Sequence, residues 1–158
     1  MDFLTELDTD ALAAQGLGEW PFGFADRVRF NEIDALGHVN NTAYLVWFES
    51  LRVSYIQAYG LTSYSADDPQ IVVRHQTADY YAPMFQNEPY MLTGRTRLIK
   101  PSSLIMDYAV HSGSTLRASG MAVIVSLEQD GKTRRPHRQE AVQRMVERDG
   151  AERVGFAS

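Results

Sequence analysis

An acid, an imidazole and two asparagines lie within eight residues, just before a long apolar segment. They are Asp34, His38, Asn40 and Asn41, with Gly37 inside the same stretch. Asn40 or Asn41 can cap a helix by accepting a hydrogen bond from a backbone N–H, and Gly37 permits a sharp turn before it. The first N–H groups of a helix lack intrahelical partners and lie at its positive end, where they can hold an oxyanion. Together these groups predict an acyl-transfer site.

The elements around this stretch are predicted from hydrophobic periodicity. Residues 41–58 are apolar on nearly every side, which is typical of a buried helix. Alternating apolar and polar residues, bounded by turn residues, predict strands at 25–31, 70–83, 88–100, 103–111 and 116–127. Helical spacing of apolar residues returns over 138–148. The order predicts an α+β protein in which a curved antiparallel sheet wraps around the long helix.

The motif itself resembles a known family. Its members Asp34, Gly37, Asn41, Tyr44, Trp47 and Glu49 are similar to the opening motif of hotdog-fold acyl-CoA thioesterases of the 4-hydroxybenzoyl-CoA thioesterase type. The resemblance implies that Asp34 does the chemistry and that a backbone N–H near Asn41 polarises the thioester carbonyl. We expect a single hotdog domain over residues 23–150, with residues 1–22 as a loosely held N-terminal extension and residues 151–158 as a tail.

Two other functions are compatible with the same residues. The stretch is also similar to the acyl-acyl-carrier-protein thioesterases, in which an Asp-x-Asn-x-His pattern is typical. This chain keeps Asp34 and His38 but has Leu36 at the position of that asparagine, so the acyl-CoA assignment is favoured. A non-catalytic protein of the same fold that binds acyl thioesters is the other alternative.

Each candidate catalytic residue also has a structural interpretation. An aspartate before a helix often only forms an Asx-turn, and His38 could simply hydrogen-bond the backbone of the same turn. Asn41 is expected to act through its backbone amide. Glu49 lies in the predicted buried helix, where a carboxylate is costly unless it is paired. Arg52, three residues later, could pair with it, although some hotdog thioesterases use a helix glutamate as base.

A basic segment follows the last predicted strand. It contains Lys132, Arg134, Arg135 and Arg138, which we expect to bind the phosphates of coenzyme A because an arginine fork donates two parallel hydrogen bonds. The alternative is a solvated turn. The net charge of −5 comes from five acids in the first 22 residues, since fifteen of the twenty acids remain to balance fifteen Lys and Arg.

Composition excludes several other classes. The charge balance beyond residue 22 disfavours a nucleic-acid binder, and no apolar run approaches the roughly 18 residues of a membrane span. Without cysteine there is no disulfide, thiolate nucleophile or cysteine metal site, and the four histidines lack metal-ligand spacing. We therefore expect a cytoplasmic protein that needs no metal and no cofactor beyond the coenzyme A of its substrate.

Association of this chain with further copies is predicted from apolar strand residues that would be exposed on a single curved sheet. These residues are Ile71, Val73, Met91 and Ile99. Unpaired sheet edges and exposed apolar faces favour association with another copy. Proteins that this chain resembles form dimers and often tetramers, so we expect a homodimer or homotetramer.

Overall fold

The computed structural model of the protein describes residues 4–157. The helices are α1 (Thr9–Ala14), α2 (Asn41–Tyr59) and α3 (Gln139–Arg144), and a π-helical turn (Met145–Asp149) continues α3. The strands are β1 (Thr5–Leu7), β2 (Phe22–Arg27), β3 (Gln70–Tyr80), β4 (Pro89–Ile99), β5 (Ser103–Ser112), β6 (Thr115–Leu127) and β7 (Glu152–Arg153). The predicted α+β class and the order of its main elements are confirmed.

The strands form one sheet in the order β1-β2-β4-β5-β6-β3, and β7 pairs with β4 in parallel. The chain divides into two compact units. The first unit comprises the chain up to Arg52, Ala78–Gly94 and Tyr108–Gly120. The second unit comprises Val53–Thr77, Arg95–Asp107 and the chain from Met121 onward.

In the first unit, the beginning of α2 packs on β4 and β5 through aromatic rings. Phe48 stacks on Tyr108 with ring centroids 4.9 Å apart, and Trp47 stacks on Tyr90 at 4.2 Å. The backbone at Gly94 approaches Leu51 so closely that a Cβ atom at Gly94 would overlap the leucine side chain. These contacts fix the position of the helix start, where the predicted site lies.

In the second unit, the end of α2 is tied to the π-helical turn through one carboxylate. Asp149 accepts hydrogen bonds from the hydroxyls of Tyr55 and Tyr59 and from the backbone N–H of Thr96. Burial raises the pKa of the Asp149 carboxyl above its usual value. The three bonds satisfy a polar group that would otherwise destabilise this part of the core.

Several local predictions need correction. Ile99 was expected to lie on an exposed face, but it is fully buried, and its carbonyl accepts a hydrogen bond from the Val154 backbone beside β7. The long helix is not buried on every side, because Val46 and Val53 are 57% and 41% exposed. The first predicted strand, 25–31, instead spans Phe22–Arg27 and gives way to a 3-10 turn.

The N-terminal extension was expected to be loosely held, and this is wrong for its described residues. Strand β1 pairs antiparallel with β2, from Thr5 opposite Ala25 to Leu7 opposite Gly23. Leu12 of α1 is fully buried, and a Cβ atom at Gly23 would lie 3.1 Å from its side chain. The domain boundaries at residues 23 and 150 stay a prediction.

Candidate active site

The candidate catalytic aspartate lies in a tight loop between the 3-10 turn (Phe30–Glu32) and α2. The loop closes through an antiparallel bridge between Ile33 and Val39, and the Asp34 N–H donates a 2.7 Å hydrogen bond to the His38 carbonyl. Gly37 has φ of +80°, a left-handed conformation that other residues seldom adopt. The glycine therefore permits the reversal that the sequence indicated.

The two oxygens of the Asp34 carboxylate have different surroundings. Oδ1 accepts hydrogen bonds from the backbone N–H groups of Leu36 at 2.8 Å and His38 at 3.1 Å. Oδ2 accepts no hydrogen bond from any described residue. The Asx-turn interpretation is thus correct, but it engages only one oxygen. The other is oriented by the loop and remains available for chemistry.

Asn40 caps helix α2, which resolves the choice between the two asparagines. Its side-chain Oδ1 accepts hydrogen bonds from the backbone N–H and the hydroxyl of Thr42, both at 3.0 Å. The Ala43 N–H bonds the Asn40 carbonyl at 2.9 Å. Among the described residues, none accepts a hydrogen bond from the Asn41 N–H. This amide is therefore a donor at the positive end of a 19-residue helix.

Asp34, His38 and Asn41 line one open cleft of about 330 Å³ in the first unit. The remaining lining residues are Val39, Tyr44, Tyr80, Tyr81, Ala82 and Pro83. Tyr80 and Tyr81 are 46% and 57% exposed at this cleft. Tyr90 is instead buried against Trp47 and belongs to the core.

Two tyrosines form an aromatic wall of this cleft. The rings of Tyr44 and Tyr80 meet edge to face with centroids 5.2 Å apart. Burial, together with the nearby Glu88 carboxylate and Tyr80, raises the pKa of the Tyr44 hydroxyl to about 12. Tyr44 is therefore a neutral group near pH 7. It can donate a hydrogen bond but will not act as a base.

The His38 imidazole forms part of the cleft without a polar partner. Its ring meets Phe85 edge to face at 5.4 Å, and neither ring nitrogen bonds any residue in the described part of the chain. Since the ring packs rather than bonds, the structural role considered for His38, a hydrogen bond from its ring to the backbone of the turn, is not found. A chemical role for this histidine stays a prediction.

Glu49 does not line the cleft that contains Asp34. Its side chain is 68% exposed, and a carboxylate oxygen lies 3.8 Å from the buried Arg52 guanidinium. The expectation of a buried carboxylate is wrong, because α2 turns this side toward solvent. The predicted pairing with Arg52 is confirmed, and a catalytic role for Glu49 stays a prediction.

The basic segment lies in the second unit. Its four cations differ in how many hydrogen bonds and ion pairs they make with other residues. Arg138 pairs with the buried carboxylate of Asp68, and Arg135 donates to the Asp67 carbonyl at 2.9 Å. Arg135 also lies 3.6 Å from Glu128. Among the described residues, the Arg134 guanidinium donates only to the Ser102 hydroxyl, at 3.2 Å, and the Lys132 ammonium contacts no acceptor.

Sequence reasoning did not identify the residues that support the loop from outside it. Glu32 accepts a 2.5 Å hydrogen bond from Trp47 Nε1 in α2, and Arg117 donates to the Pro83 carbonyl at the cleft margin. Their partners lie 15 and 34 residues away in the chain. No local spacing rule links residues at such separations.

Residues 4–157 contain neither a metal-binding cluster nor a membrane-spanning helix. No three His, Asp or Glu side chains within that range converge as they would to hold a metal ion. No helix in the range combines the length and apolarity that crossing a membrane requires.

Comparison with known proteins assigns the chain to a family. Residues 28–146 match the model of the thioesterase-like superfamily, and the chain belongs to this superfamily. The match begins before the Asp34 loop and ends in the π-helical turn after α3, so it includes the cleft. The predicted hotdog thioesterase fold is therefore confirmed.

Similar proteins agree with this assignment. A crystal structure described as a thioesterase superfamily protein from Jannaschia sp. CCS1 is 36% identical, with a TM-score of 0.92 over 98% of this chain and 99% of that one. A thioesterase from Thermus thermophilus, complexed with coenzyme A and Zn, is 29% identical, with a TM-score of 0.70 over 80% of this chain and 98% of that one. The Bacillus subtilis (strain 168) protein YsmA, described as uncharacterized, is 32% identical over 94 residues. That match covers 57% of this chain and 63% of YsmA.

Proposed function

We propose that this protein hydrolyses an acyl-CoA thioester to a free acid and coenzyme A. One observation carries the proposal: Asp34, whose Oδ2 accepts no hydrogen bond from a described residue, and Asn41, whose N–H donates to none of them, line the same cleft. The first is a carboxylate that can attack a carbonyl or activate water, and the second can stabilise the negative charge that then develops on the carbonyl oxygen. Membership of the thioesterase-like superfamily supports the same reaction.

Two routes are compatible with this arrangement. In the nucleophilic route, Asp34 Oδ2 bonds to the thioester carbon, the C–S bond breaks, and the coenzyme A thiolate leaves and takes up a proton. Water then cleaves the mixed anhydride and restores the carboxylate. In the general-base route, Asp34 takes a proton from a water molecule that attacks the same carbon directly, and the C–S bond then breaks as the coenzyme A thiolate leaves and takes up that proton. In both routes the Asn41 amide holds the oxyanion.

Coenzyme A is the carrier we propose. The Thermus thermophilus relative was crystallised with coenzyme A, which supports a substrate of this type. The basic segment supplies cations for its phosphates, and Lys132 and Arg134 are the two with the fewest competing contacts. Arg135 and Arg138 are assigned to the same site, although each already binds an acidic or carbonyl group.

We further propose that the protein is cytoplasmic and acts as a homodimer or homotetramer. Strand β3 ends the sheet order, and Val72 and Val73 on it are 38% and 37% exposed. An edge strand with exposed apolar side chains is a surface on which a second copy can pair.

A substrate screen tests the proposed reaction. Purified protein is assayed for thiol release from short, medium, long and aromatic acyl-CoA substrates, with an acyl carrier protein thioester included for comparison. We expect turnover of at least one acyl-CoA, and loss of this turnover in Asp34→Asn. Binding of acyl-CoA without thiol release would instead identify a non-catalytic binding protein. Turnover of the carrier-protein thioester alone would reassign the carrier.

A further inference from the structure

Glu32 accepts three hydrogen bonds at the base of the Asp34 loop. Its carboxylate Oε2 accepts from Trp47 Nε1 at 2.5 Å, and Oε1 accepts from the Arg29 N–H at 2.8 Å. Its backbone carbonyl accepts from the Asn40 N–H at 2.7 Å. One residue thus joins the start of the loop, the cap of α2 and the second turn of that helix.

We propose that Glu32 is a positioning residue that holds the Asp34 carboxylate at a fixed distance and orientation from the Asn41 amide. The inference rests on the proposed function, because the two groups it aligns are the proposed nucleophile or base and the oxyanion donor. Glu32 lies two residues before Asp34, and its main-chain bond reaches the residue just before Asn41. A shift at Glu32 would therefore change the separation of the two groups.

The residue that Glu32 bonds in α2 is packed in the core. The Trp47 ring is buried and stacks on Tyr90 with an angle of 21° between the ring planes. Tyr90 is only 2% exposed. A charged acceptor bonded to an N–H on such a fixed ring gives a strong and directional hydrogen bond. The Glu32–Trp47 bond thereby holds the loop against the core, in addition to the hydrogen bonds inside the loop itself.

Glutamate suits this role better than its amide. Both carboxylate oxygens accept from N–H donors, one from Arg29 and one from Trp47. A glutamine has only one acceptor oxygen, and its NH₂ group would face the other donor. Glu32→Gln therefore loses one bond of the pair while keeping the size of the side chain.

Two variants break the same bond from opposite ends. Glu32→Gln weakens the acceptor, whereas Trp47→Phe removes the donor and keeps an aromatic ring for stacking on Tyr90. We expect each to lower kcat by about ten- to a hundred-fold with KM changed less than about three-fold, because misplaced catalytic groups affect the reaction more than substrate binding. The double variant should lose little more than either single variant.

Tyr55→Phe is the matched control. Like the other two variants, it breaks a hydrogen bond to a carboxylate, here the bond from the Tyr55 hydroxyl to Asp149 in the second unit. It should lower the melting temperature while leaving kcat within about two-fold of the wild-type value. A kcat in Glu32→Gln and Trp47→Phe that matches this control would mean that the Glu32 bond serves stability alone, and it would overturn the positioning role.

Amide hydrogen exchange gives a readout that does not depend on activity. The N–H groups of Leu36 and His38 bond Asp34 Oδ1, so loosening of the loop should speed their exchange at least about ten-fold in Glu32→Gln. The amide of Val110, in the core strand β5, should be unchanged and reports any global unfolding. The indole N–H resonance of Trp47 should move upfield as its hydrogen bond weakens.

The two measurements separate failure of the proposed function from failure of this inference. If the wild-type protein releases no thiol from any substrate, the thioesterase assignment fails, and exchange at Leu36 and His38 still decides whether Glu32 positions the loop. If the wild type is active and Glu32→Gln retains its kcat, Glu32 has no positioning role. Unchanged exchange at both amides would overturn the positioning role as well.

Discussion

The hydroxyl of Tyr80, at the end of β3, donates a 3.0 Å hydrogen bond to the carbonyl oxygen of Asn41, the first residue of α2. The strand and the helix start that line the cleft are thereby joined by a side chain that itself faces the cleft. The bond connects the aromatic wall to the residue whose N–H we assign to the oxyanion.

Removing this bond should affect turnover more than folding. An exposed neutral hydrogen bond contributes about 1 kcal/mol, so Tyr80→Phe should lower kcat/KM by roughly three- to ten-fold with little change in melting temperature. Tyr81→Phe is the control, because its hydroxyl bonds Ser119 Oγ at 2.7 Å rather than the helix. Equal effects of both substitutions would show that the link to Asn41 is not what matters.

Asp34 should be required for turnover while contributing little to folding. Asp34→Asn keeps an acceptor for the Leu36 and His38 amides, so the loop should persist while kcat falls by about two to four powers of ten. Asp34→Ala should lose both kcat and loop order, with a lower melting temperature. Undiminished hydrolysis by Asp34→Asn contradicts the assignment, and Glu49→Gln would then be the next variant to assay.

The cations with the fewest contacts should contribute to substrate binding. Each exposed charge contributes about 1 kcal/mol, as a surface ion pair does, so Lys132→Ala with Arg134→Ala should raise KM roughly ten- to thirty-fold at low salt, with kcat nearly constant. The wild-type KM should rise with ionic strength, and this dependence should flatten in the double variant. Arg138→Ala should raise KM and also lower the melting temperature, because it removes a proposed phosphate-binding cation and leaves the buried Asp68 without its ion-pair partner. If the double variant keeps the wild-type KM and salt dependence, the basic segment is a solvated turn and does not bind the substrate.

The carboxylate of Asp68 predicts acid sensitivity. Hydrogen bonds from the Ser63 hydroxyl and backbone N–H, and then from Ser65 and Arg138, hold the pKa of Asp68 well below its ordinary value of 3.8. A depressed pKa means that this stabilisation is complete above 3.8 and is lost as the pH falls below it. Urea midpoints measured across this range should fall in the wild type and fall less in Asp68→Asn. Parallel pH profiles of the two proteins would contradict this.

Assembly should depend on the exposed edge strand. Light scattering should report a dimer or tetramer, and Val73→Lys should shift it toward monomer because a charge on an edge strand opposes pairing. Leu116→Lys, at a comparably exposed residue of β6, should leave the mass unchanged. A stable and active wild-type monomer is the result that excludes the predicted assembly.

Local sequence signals were sufficient to predict the part of the site whose residues are close together in the chain. Asp34, His38 and Asn41 lie in one cleft because a single turn and a helix cap connect them, and the cap at Asn40 starts α2 at the predicted residue. Tyr44 follows within the first turn of the same helix. The predicted loop and helix start were therefore correct.

The remainder depends on contacts between distant residues. The predicted first strand extended to Asn31 because apolar alternation continues there, but residues 29–32 form a turn in which Glu32 bonds Arg29 and also bonds the distant Trp47. Ile99, predicted to be exposed, is fully buried, and its pairing partner Arg153 in β7 lies 54 residues further along the chain. Periodicity describes one segment at a time and carries no information on which partner will cover it.

The close approach of Leu51 to Gly94 has a consequence for how this chain can change over generations. A Cβ atom at position 94 would overlap the Leu51 side chain, so a first substitution there should require the leucine to shift within a packed core. A smaller residue at position 51 opens the space that alanine at 94 would fill. Substitutions at positions 51 and 94 should therefore occur together. A library randomised at both positions should recover functional combinations that libraries randomised at one position miss.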